Sequence, residues 1–150
     1  MKSIKNILCA VDIYDYQPAL LDMAKTIAAA TGACITPVYV VASLTEYVAF
    51  TEPKATVDSM TASMTSGARK DFDAFIKEHF SGENVRGVLL SGKPAEEILA
   101  YVEKTRPDMV ITATHGRKGM QRIFYGSVAE RIIKFSTAPV LTVNMGGRAE

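Results

Sequence analysis

Short runs of hydrophobic residues alternate along this chain with stretches in which apolar residues recur every three or four positions. The run at 4–11 (IKNILCAV) is rich in aliphatic residues and predicts a strand. The stretch at 16–32 places four apolar residues on one helical face: Leu20, Ala24, Ile27 and Ala28. Gly32 follows as a typical stop, so we expect an amphipathic helix to end there.

The same alternation continues through the middle of the chain. Residues 33–41 predict a second strand, although Pro37 lacks the N–H that a strand interior normally uses. Residues 42–54 predict a loop. Residues 55–80 predict a long helix, broken near Gly67, with five apolar residues on a common side: Met60, Met64, Phe72, Phe75 and Ile76.

Three more strands and two more helices complete the pattern. Strands are predicted at 85–91, 108–113 and 139–144. The turn GKP leads into a helix that begins at Pro94, since proline suits the first helical position. The last helix is expected to carry an apolar stripe made of Val128, Ala129, Ile132 and Phe135.

Strict alternation of five strands with four helices predicts an α/β fold. We expect a single domain with an open, parallel five-stranded sheet and helices on both faces. The near-continuous apolar strands agree, because parallel sheets are covered on both sides. In such sheets a ligand binds beyond the carboxyl ends of the strands, where the strand order reverses. Two loops at such ends carry polar residues or glycines: 11–16 (VDIYDY) and 113–119 (ATHGRKG).

Composition narrows the function classes. The 150 residues are 48% hydrophobic and 22% charged, which is ordinary for a globular domain. A formal net charge of +1 gives no electrostatic case for nucleic acid or a membrane as partner. The N-terminus reaches Asp12 before a signal-peptide core could form, so we expect a cytoplasmic protein. Cys9 and Cys34 lie in apolar stretches and predict buried free thiols.

Residues 113–130 (ATHGRKGMQRIFYGSVAE) contain the glycine-rich loop between the fourth strand and the last helix. Its spacing matches neither GxxxxGK[ST] nor GxGxxG. A dinucleotide fingerprint would follow the first strand, where Asp12 and Asp15 would repel a pyrophosphate. Arg117, Lys118 and Arg122 supply positive charge, and a helix N-terminus beginning at Gly126 and Ser127 would suit a phosphate.

A purely structural interpretation of the same residues stands beside the phosphate site. Ser127 and Glu130 have the spacing of a capping box, which would satisfy the first N–H groups of the helix internally. The glycines at 116 and 119 would then only shape a turn. The residues alone leave both interpretations open.

The sequence offers no catalytic constellation. His79 lies among lysine and glutamate and is expected on the surface, and His115 has no nucleophile with an orienting acid around it. We therefore expect a binding module or sensor without a dedicated catalytic site. A phosphoacceptor receiver domain needs an aspartate after strand three and a lysine after strand five, and neither is present. A flavodoxin-like carrier needs a Ser/Thr-rich phosphate loop after strand one, which is also missing.

Residues 113–143 resemble the C-terminal signature of the universal stress protein family, G-x2-G-x9-G-[S/T]. Gly116 matches the second glycine of that signature, and Gly126 with Ser127 matches its end. KNILCAVD resembles the first strand of the family and ends in Asp12, PVYVV resembles the second strand, and SGKPAEEIL resembles the G-x-P turn. The likeness spans nearly the whole chain.

The resemblance implies a Rossmann-like domain of the adenine nucleotide alpha hydrolase type, with strand order 3-2-1-4-5. It would occupy residues 1–144 and leave 145–150 as a flexible tail. The family implies an ATP-binding stress sensor or regulator, with ADP and AMP as alternative nucleotides and with slow ATP hydrolysis at most. The alternative is a stress protein that binds no nucleotide and acts through protein–protein contacts. Carried over to this sequence, the nucleotide-binding residues would be Asp12, Val40, Ala113, His115, Gly116, Arg117, Gly119, Gly126, Ser127 and Val128.

Two further expectations accompany the nucleotide. Asp12 could help to hold a Mg²⁺ ion on bound phosphates, because that ion is usually held by one or two carboxylates plus phosphate oxygens; a solvated acid at a strand end is the alternative. No metal site made of protein side chains alone is expected. The family also implies a homodimer through the last strand, Pro139 to Val143, which would cover a sheet edge.

The signature departs from the family pattern at one position. Its first glycine falls on Ala113. If that position requires a positive φ, alanine is strained there; if φ is ordinary, the substitution adds one methyl group facing the ligand.

Overall fold

A computed structural model of the chain describes residues 3–15, 17–44, 48, 50–82, 84–114 and 126–145. Five strands form the sheet: β1 (Asn6–Ala10), β2 (Cys34–Ala42), β3 (Val88–Gly92), β4 (Met109–Thr114) and β5 (Val140–Asn144). The longer helices within these ranges are α1 (Pro18–Thr31), α2 (Lys54–His79), α3 (Pro94–Thr105) and α4 (Ser127–Phe135).

All five strands are parallel, in the order β3-β2-β1-β4-β5. This confirms the α/β fold class and the predicted strand order. β1 pairs with β2 from Asn6↔Cys34 to Ala10↔Val38, and with β4 from Ile7↔Met109 to Cys9↔Ile111. The chain thus adds β2 and β3 on one side of β1, and then β4 and β5 on the other side. The strand order therefore reverses between β1 and β4, where ligands bind in open sheets.

Two hydrophobic cores cover the two faces of the sheet. Successive residues of a strand point to opposite faces, so Ile7 and Cys9 face one core while Leu8 faces the other. α1 and α2 close the first core with buried residues that include Leu20, Ala24, Phe72 and Phe75. α3 and α4 close the second with Ile98, Val102 and Ile132.

Pro37 lies in the interior of β2, and the ladder between β2 and β3 is interrupted there. Ile35 uses both its N–H and its C=O on the β3 side, with Asn84 and Arg86 as partners at 2.9 and 3.0 Å. Pro37, two residues on, faces the same side and has no N–H to donate. The pairing between β2 and β3 therefore begins with an isolated bridge at Ile35↔Val85, is interrupted at Pro37, and resumes at Val38↔Val88.

α2 runs without a break through Gly67, so the predicted break is wrong. Its buried side consists of Val57, Ala68, Phe72 and Phe75. Met60 and Met64, predicted on that side, are 43% and 44% exposed. A glycine inside a helix costs only about 1 kcal/mol, and the packing of the buried side against the sheet outweighs it.

Two smaller expectations also need correction. His79 is partly buried, and its ring centroid lies 4.7 Å from that of Phe75. Cys9 is buried as expected, whereas Cys34 is only partly buried. Within the described ranges, no helix is both long and apolar enough to cross a membrane.

Candidate functional site

A cavity of about 340 Å³ lies at the carboxyl ends of β1, β2 and β4, where the strand order reverses. It brings together six residues predicted for nucleotide binding: Asp12, Val40, Ala113, Gly126, Ser127 and Val128. The other four predicted residues, His115, Gly116, Arg117 and Gly119, lie outside the described residues. Residues from three separate loops and strands thus meet at one place, as the fold class predicts.

The N-terminus of α4 opens onto this cavity without a side-chain cap. Gly126 is the N-cap residue and Ser127 is already the first residue of the helix, so the predicted capping box does not form. A capping serine must precede the helix for its hydroxyl to reach the N–H groups of the first turn. The Glu130 N–H instead donates to the carbonyl of Gly126 at 2.9 Å. The N–H groups of the first turn therefore receive no side-chain cap at Gly126.

Within the described part of the chain, neither backbone conformation nor packing explains the glycine at 126. Its φ of −52° and ψ of 153° are accessible to any residue. A Cβ atom built there would have no heavy atom within 4 Å among the described contacts. The missing side chain thus leaves open space at the wall of the cavity, beside the first N–H groups of α4.

Ala113 is not strained. It lies in β4, pairs with Val143, and is not among the described residues with positive φ. The second of the two alternatives posed by the sequence therefore applies. The departure from the glycine of the signature adds one methyl group at the cavity wall.

One wall of the cavity is aliphatic. Val38, Val40, Pro94 and Ile98 line it, and Val40 is buried. α3 begins there at Pro94, after Gly92 with a φ of 144°, which confirms the predicted turn. The positive φ of Gly92 is one that side chains rarely adopt, so the turn requires glycine for its backbone; a Cβ atom there would also lie 2.6 Å from Glu97 Oε1, which the flexible Glu97 side chain could relieve by moving.

The loop after β1 is tied to α2 by two tyrosines that the sequence had not singled out. Asp12 Oδ1 accepts the Tyr14 N–H at 3.0 Å, and the Tyr14 hydroxyl donates to Asp71 Oδ2 at 2.8 Å. The ring of Tyr14 packs edge-on against that of Tyr39, with 6.0 Å between the ring centroids. The ring of Tyr39 stacks on that of Phe72, with 6.5 Å between the centroids. These contacts hold the loop that carries Asp12 at the cavity.

The pKa values of both tyrosines respond to this arrangement. The hydrogen bond to Asp71 is the largest of the effects that raise the pKa of Tyr14, and the negative charge of Asp71 adds to it. Burial, followed by the charge of Asp12, raises the pKa of Tyr39. Both hydroxyls therefore remain protonated at neutral pH, and that of Tyr14 donates to Asp71.

Gln17 is a cavity residue that belongs to no motif or periodic pattern of the sequence. It is the N-cap residue of α1, yet its side chain makes no capping hydrogen bond. It is 7% exposed and lines the cavity together with Asp12. Thr112, on β4, is a second buried polar residue of the lining.

A match to a known family covers almost the whole chain. The model of the universal stress protein family matches residues 3–144. The chain belongs to the universal stress protein family. The resemblance seen in the residues is thereby confirmed, and the cavity lies where the signature of that family ends, at Gly126 and Ser127.

Individual relatives and solved structures agree with this assignment. Universal stress protein MJ0531 of Methanocaldococcus jannaschii is 44% identical over 62 residues, which are 41% of this chain and 36% of that relative. The match thus spans about a third of that relative's length. The solved structure of MJ0577, a protein of the same organism, is 23% identical and has a TM-score of 0.76 over 97% of this chain and 99% of that one. A family member from Arabidopsis thaliana with AMP bound is 18% identical, with a TM-score of 0.61 over 93% of this chain and 91% of its own. At these identities the two structures support the fold alone.

Proposed function

We propose that this universal stress protein binds an adenine nucleotide in the cavity between β1 and β4 and acts as a nucleotide-responsive stress regulator. The observation that carries the proposal is the N-terminus of α4, which opens onto the cavity without a side-chain cap and with open space at Gly126. ATP is the proposed ligand, and ADP and AMP are the alternatives.

The phosphates fit the N-terminus of α4. Its first N–H groups point out of the helix, and the positive end of the helix dipole favours negative charge. The exposed hydroxyl of Ser127 adds a donor at the same point. A side chain at 126 would occupy the space through which a phosphate approaches these N–H groups, which accounts for a glycine that the backbone does not require.

The adenosine fits the remainder of the cavity. Val40, Pro94 and Ile98 provide an apolar wall for a base, and Asp12 provides an acceptor for sugar hydroxyls. The cavity volume of about 340 Å³ lies near the lower end of the range for small-molecule sites, roughly 300–1,000 Å³. The AMP-bound relative from Arabidopsis shows that a member of this fold takes an adenine nucleotide.

A Mg²⁺ ion would enter with the nucleotide. No group of three His, Cys, Asp or Glu side chains that could hold a metal occurs in the described part of the chain. Mg²⁺ on phosphates needs only one or two carboxylates, and Asp12 is the carboxylate that lines the cavity. The ion would supply charge neutralisation for the phosphates there.

Thermal unfolding with and without ATP and Mg²⁺, after a check for co-purified nucleotide, tests the proposal. Ligand at a hundred times its Kd stabilises a protein by about 2.7 kcal/mol, which raises Tm by roughly 5–11 °C at this chain length. We expect such a shift with ATP and a much smaller one with GTP. No shift with any adenine nucleotide, and no nucleotide in the purified protein, would favour the alternative of a stress protein that acts through protein partners.

A homodimer and a cytoplasmic location remain predictions. β5 is at the edge of the sheet, so one side of Val140–Asn144 has no neighbouring strand within the sheet described here. A second copy would cover that edge symmetrically. Light scattering at micromolar concentration should give the mass of a dimer, and the mass of a monomer would contradict the prediction.

A further inference from the structure

We propose that Gln17 contacts the bound nucleotide through its side-chain amide and recognises the ribose hydroxyl groups. The proposal rests on the proposed function, because it assigns a further residue to the same cavity. Gln17 is outside the glycine signature, and it lines the cavity from the start of α1, whereas Gly126 and Ser127 line it from the start of α4.

The state of the Gln17 side chain points to a ligand. Only 7% of the residue is exposed, and it lines the cavity. Across the ranges that the structure describes, its amide makes no hydrogen bond, although an amide offers two donors and one acceptor. The amide atoms of Gln17 are not among the fully buried, unpaired atoms of the described side chains, so the amide is open to the cavity that the residue lines. A polar group that the fold leaves unpaired at a cavity is available to a polar ligand there.

The helix that Gln17 precedes does not account for this residue. N-cap positions favour Ser, Thr, Asp and Asn, whose short side chains reach the N–H groups of the first turn. Gln17 makes no such bond, and no acidic residue of the first turn replaces it. Pro18, at the first helical position, has no N–H that would need a cap. The amide is thus left available to the cavity.

The neighbourhood of Gln17 favours a sugar over a phosphate. Asp12 lines the same cavity, and its carboxylate would repel a phosphate placed directly beside it without a Mg²⁺ ion between them. One of its oxygens is engaged by the Tyr14 N–H, and the other makes no hydrogen bond to the described chain. A pair of ribose hydroxyls needs acceptors and donors together, which the Asp12 carboxylate and the Gln17 amide provide. Phosphates are served by the N-terminus of α4 instead.

Calorimetric titration of ATP, 2′-deoxy-ATP and 3′-deoxy-ATP into the full chain tests this assignment. The unaltered protein should bind ATP more tightly than at least one deoxy analogue. Gln17→Ala should lower the ATP affinity roughly fivefold, the range of one or two neutral hydrogen bonds, and should leave the affinity for that analogue nearly unchanged. An equal loss for all three ligands, or no loss at all, would overturn the ribose assignment.

Two further variants separate binding from folding. Gln17→Ser offers α1 a short capping side chain but cannot reach a ribose, so it should keep or raise the Tm while losing ATP affinity as Gln17→Ala does. Asp22→Asn changes an exposed residue of α1 outside the cavity and should alter neither quantity. Full ATP affinity in Gln17→Ser would contradict the proposal while leaving the proposed function intact. Failure of the unaltered protein to bind any of the three ligands would overturn the proposed function, and this inference with it.

Discussion

A cavity of about 340 Å³ lies at the carboxyl ends of the strands, and a cleft of about 370 Å³ lies at their amino ends. We call these two ends of the sheet the carboxyl edge and the amino edge. The cleft lies beside Arg106, Asp108 and Pro139, where α3 ends and β4 and β5 begin. In size the two are nearly equal. They differ in whether the polar groups around them have hydrogen-bond partners within the fold.

At the amino edge the polar groups serve the fold. Asp108 Oδ2 accepts the N–H groups of Lys5 and Asn6, each at 3.0 Å, and so joins the starts of β1 and β4. The Ser136 hydroxyl donates to the carbonyl of Ala138 at 2.9 Å and accepts the Ala138 N–H at 3.2 Å. At the carboxyl edge the Gln17 amide has no such partner in the described chain, and α4 has no side-chain cap. Volume therefore does not distinguish the two places, whereas the unpaired amide of Gln17 at the cavity does.

Gly126→Val should produce the largest effect, on binding alone. The branched side chain would fill the open space beside the first turn of α4 and block the N–H groups there. We expect the ATP affinity to fall about 100-fold, or ~2.7 kcal/mol, while the free energy of unfolding changes by less than about 1 kcal/mol. Calorimetry and thermal unfolding measure the two quantities.

Gly67→Ala provides the matched control for that variant. A Cβ atom at 67 also has no described heavy atom within 4 Å, but Gly67 lies in α2 away from the cavity. It should leave the ATP affinity unchanged and stabilise the protein by about 1 kcal/mol. If both Gly126→Val and Gly67→Ala bound ATP as tightly as the unaltered protein does, the start of α4 at the carboxyl edge would not be the ATP site.

Asp108→Ala should have the opposite effects to Gly126→Val, lowering stability and leaving the ATP affinity unchanged. It removes the acceptor of two backbone N–H groups, and a hydrogen bond to a charged group contributes roughly 1.5–3 kcal/mol, less when it is solvent-exposed as these are. We expect a loss of about 2 kcal/mol, or a Tm lower by roughly 4–8 °C, with the ATP affinity unchanged. Denaturant unfolding and calorimetry check this.

Asp108→Asn refines that result, because its amide oxygen can still accept although the charge is gone. Its stability should lie between those of Asp108→Ala and the unaltered protein. A drop in ATP affinity with either variant would show that the amino edge also contributes to binding.

Much of the fold could be predicted because its signals are local and periodic. Strand runs and helical stripes fix the element types, and their alternation implies parallel pairing. The prediction failed at Gly67, because a local propensity does not reveal the packing of Phe72 and Phe75 that holds α2 together. Pro37 is unfavourable inside a strand because it lacks an N–H, yet a gap in the ladder between β2 and β3 accommodates it.

The site was predictable only where residues belong to a motif. Gly126 and Ser127 were found through the glycine signature, and Asp12 through its place after β1. Ser127 fits either side of a helix boundary in sequence, so only the structure excludes the capping box. Gln17 has no periodic or motif signal, because burial without a partner is a property of the three-dimensional arrangement.

Substitution of Tyr14 should have the smallest effect of these variants. Tyr14 belongs to the carboxyl edge, but its hydroxyl already donates a hydrogen bond to Asp71 within the fold. Its hydroxyl must be protonated to donate to Asp71, which is why the pKa of Tyr14 is raised. The stabilisation is complete below about pH 10, the ordinary pKa of tyrosine, and is lost as the pH rises through the higher pKa of the folded state. Because Tyr14 is 66% exposed, Tyr14→Phe should cost less than about 1 kcal/mol at neutral pH.

The absorbance of tyrosinate during an alkaline titration measures this directly. Tyr14→Phe should remove one of the late-titrating groups, and Asp71→Asn should move the pKa of Tyr14 back towards its ordinary value, because the hydrogen bond to a carboxylate and its charge are both lost. Neither variant should change the ATP affinity by more than about twofold, since the Tyr14 N–H still holds Asp12. A large loss of affinity in Tyr14→Phe would mean that the contact with α2, and not the Asp12 turn alone, positions the loop for its ligand. The carboxyl edge would then depend on hydrogen bonds already formed within the fold, as the amino edge does.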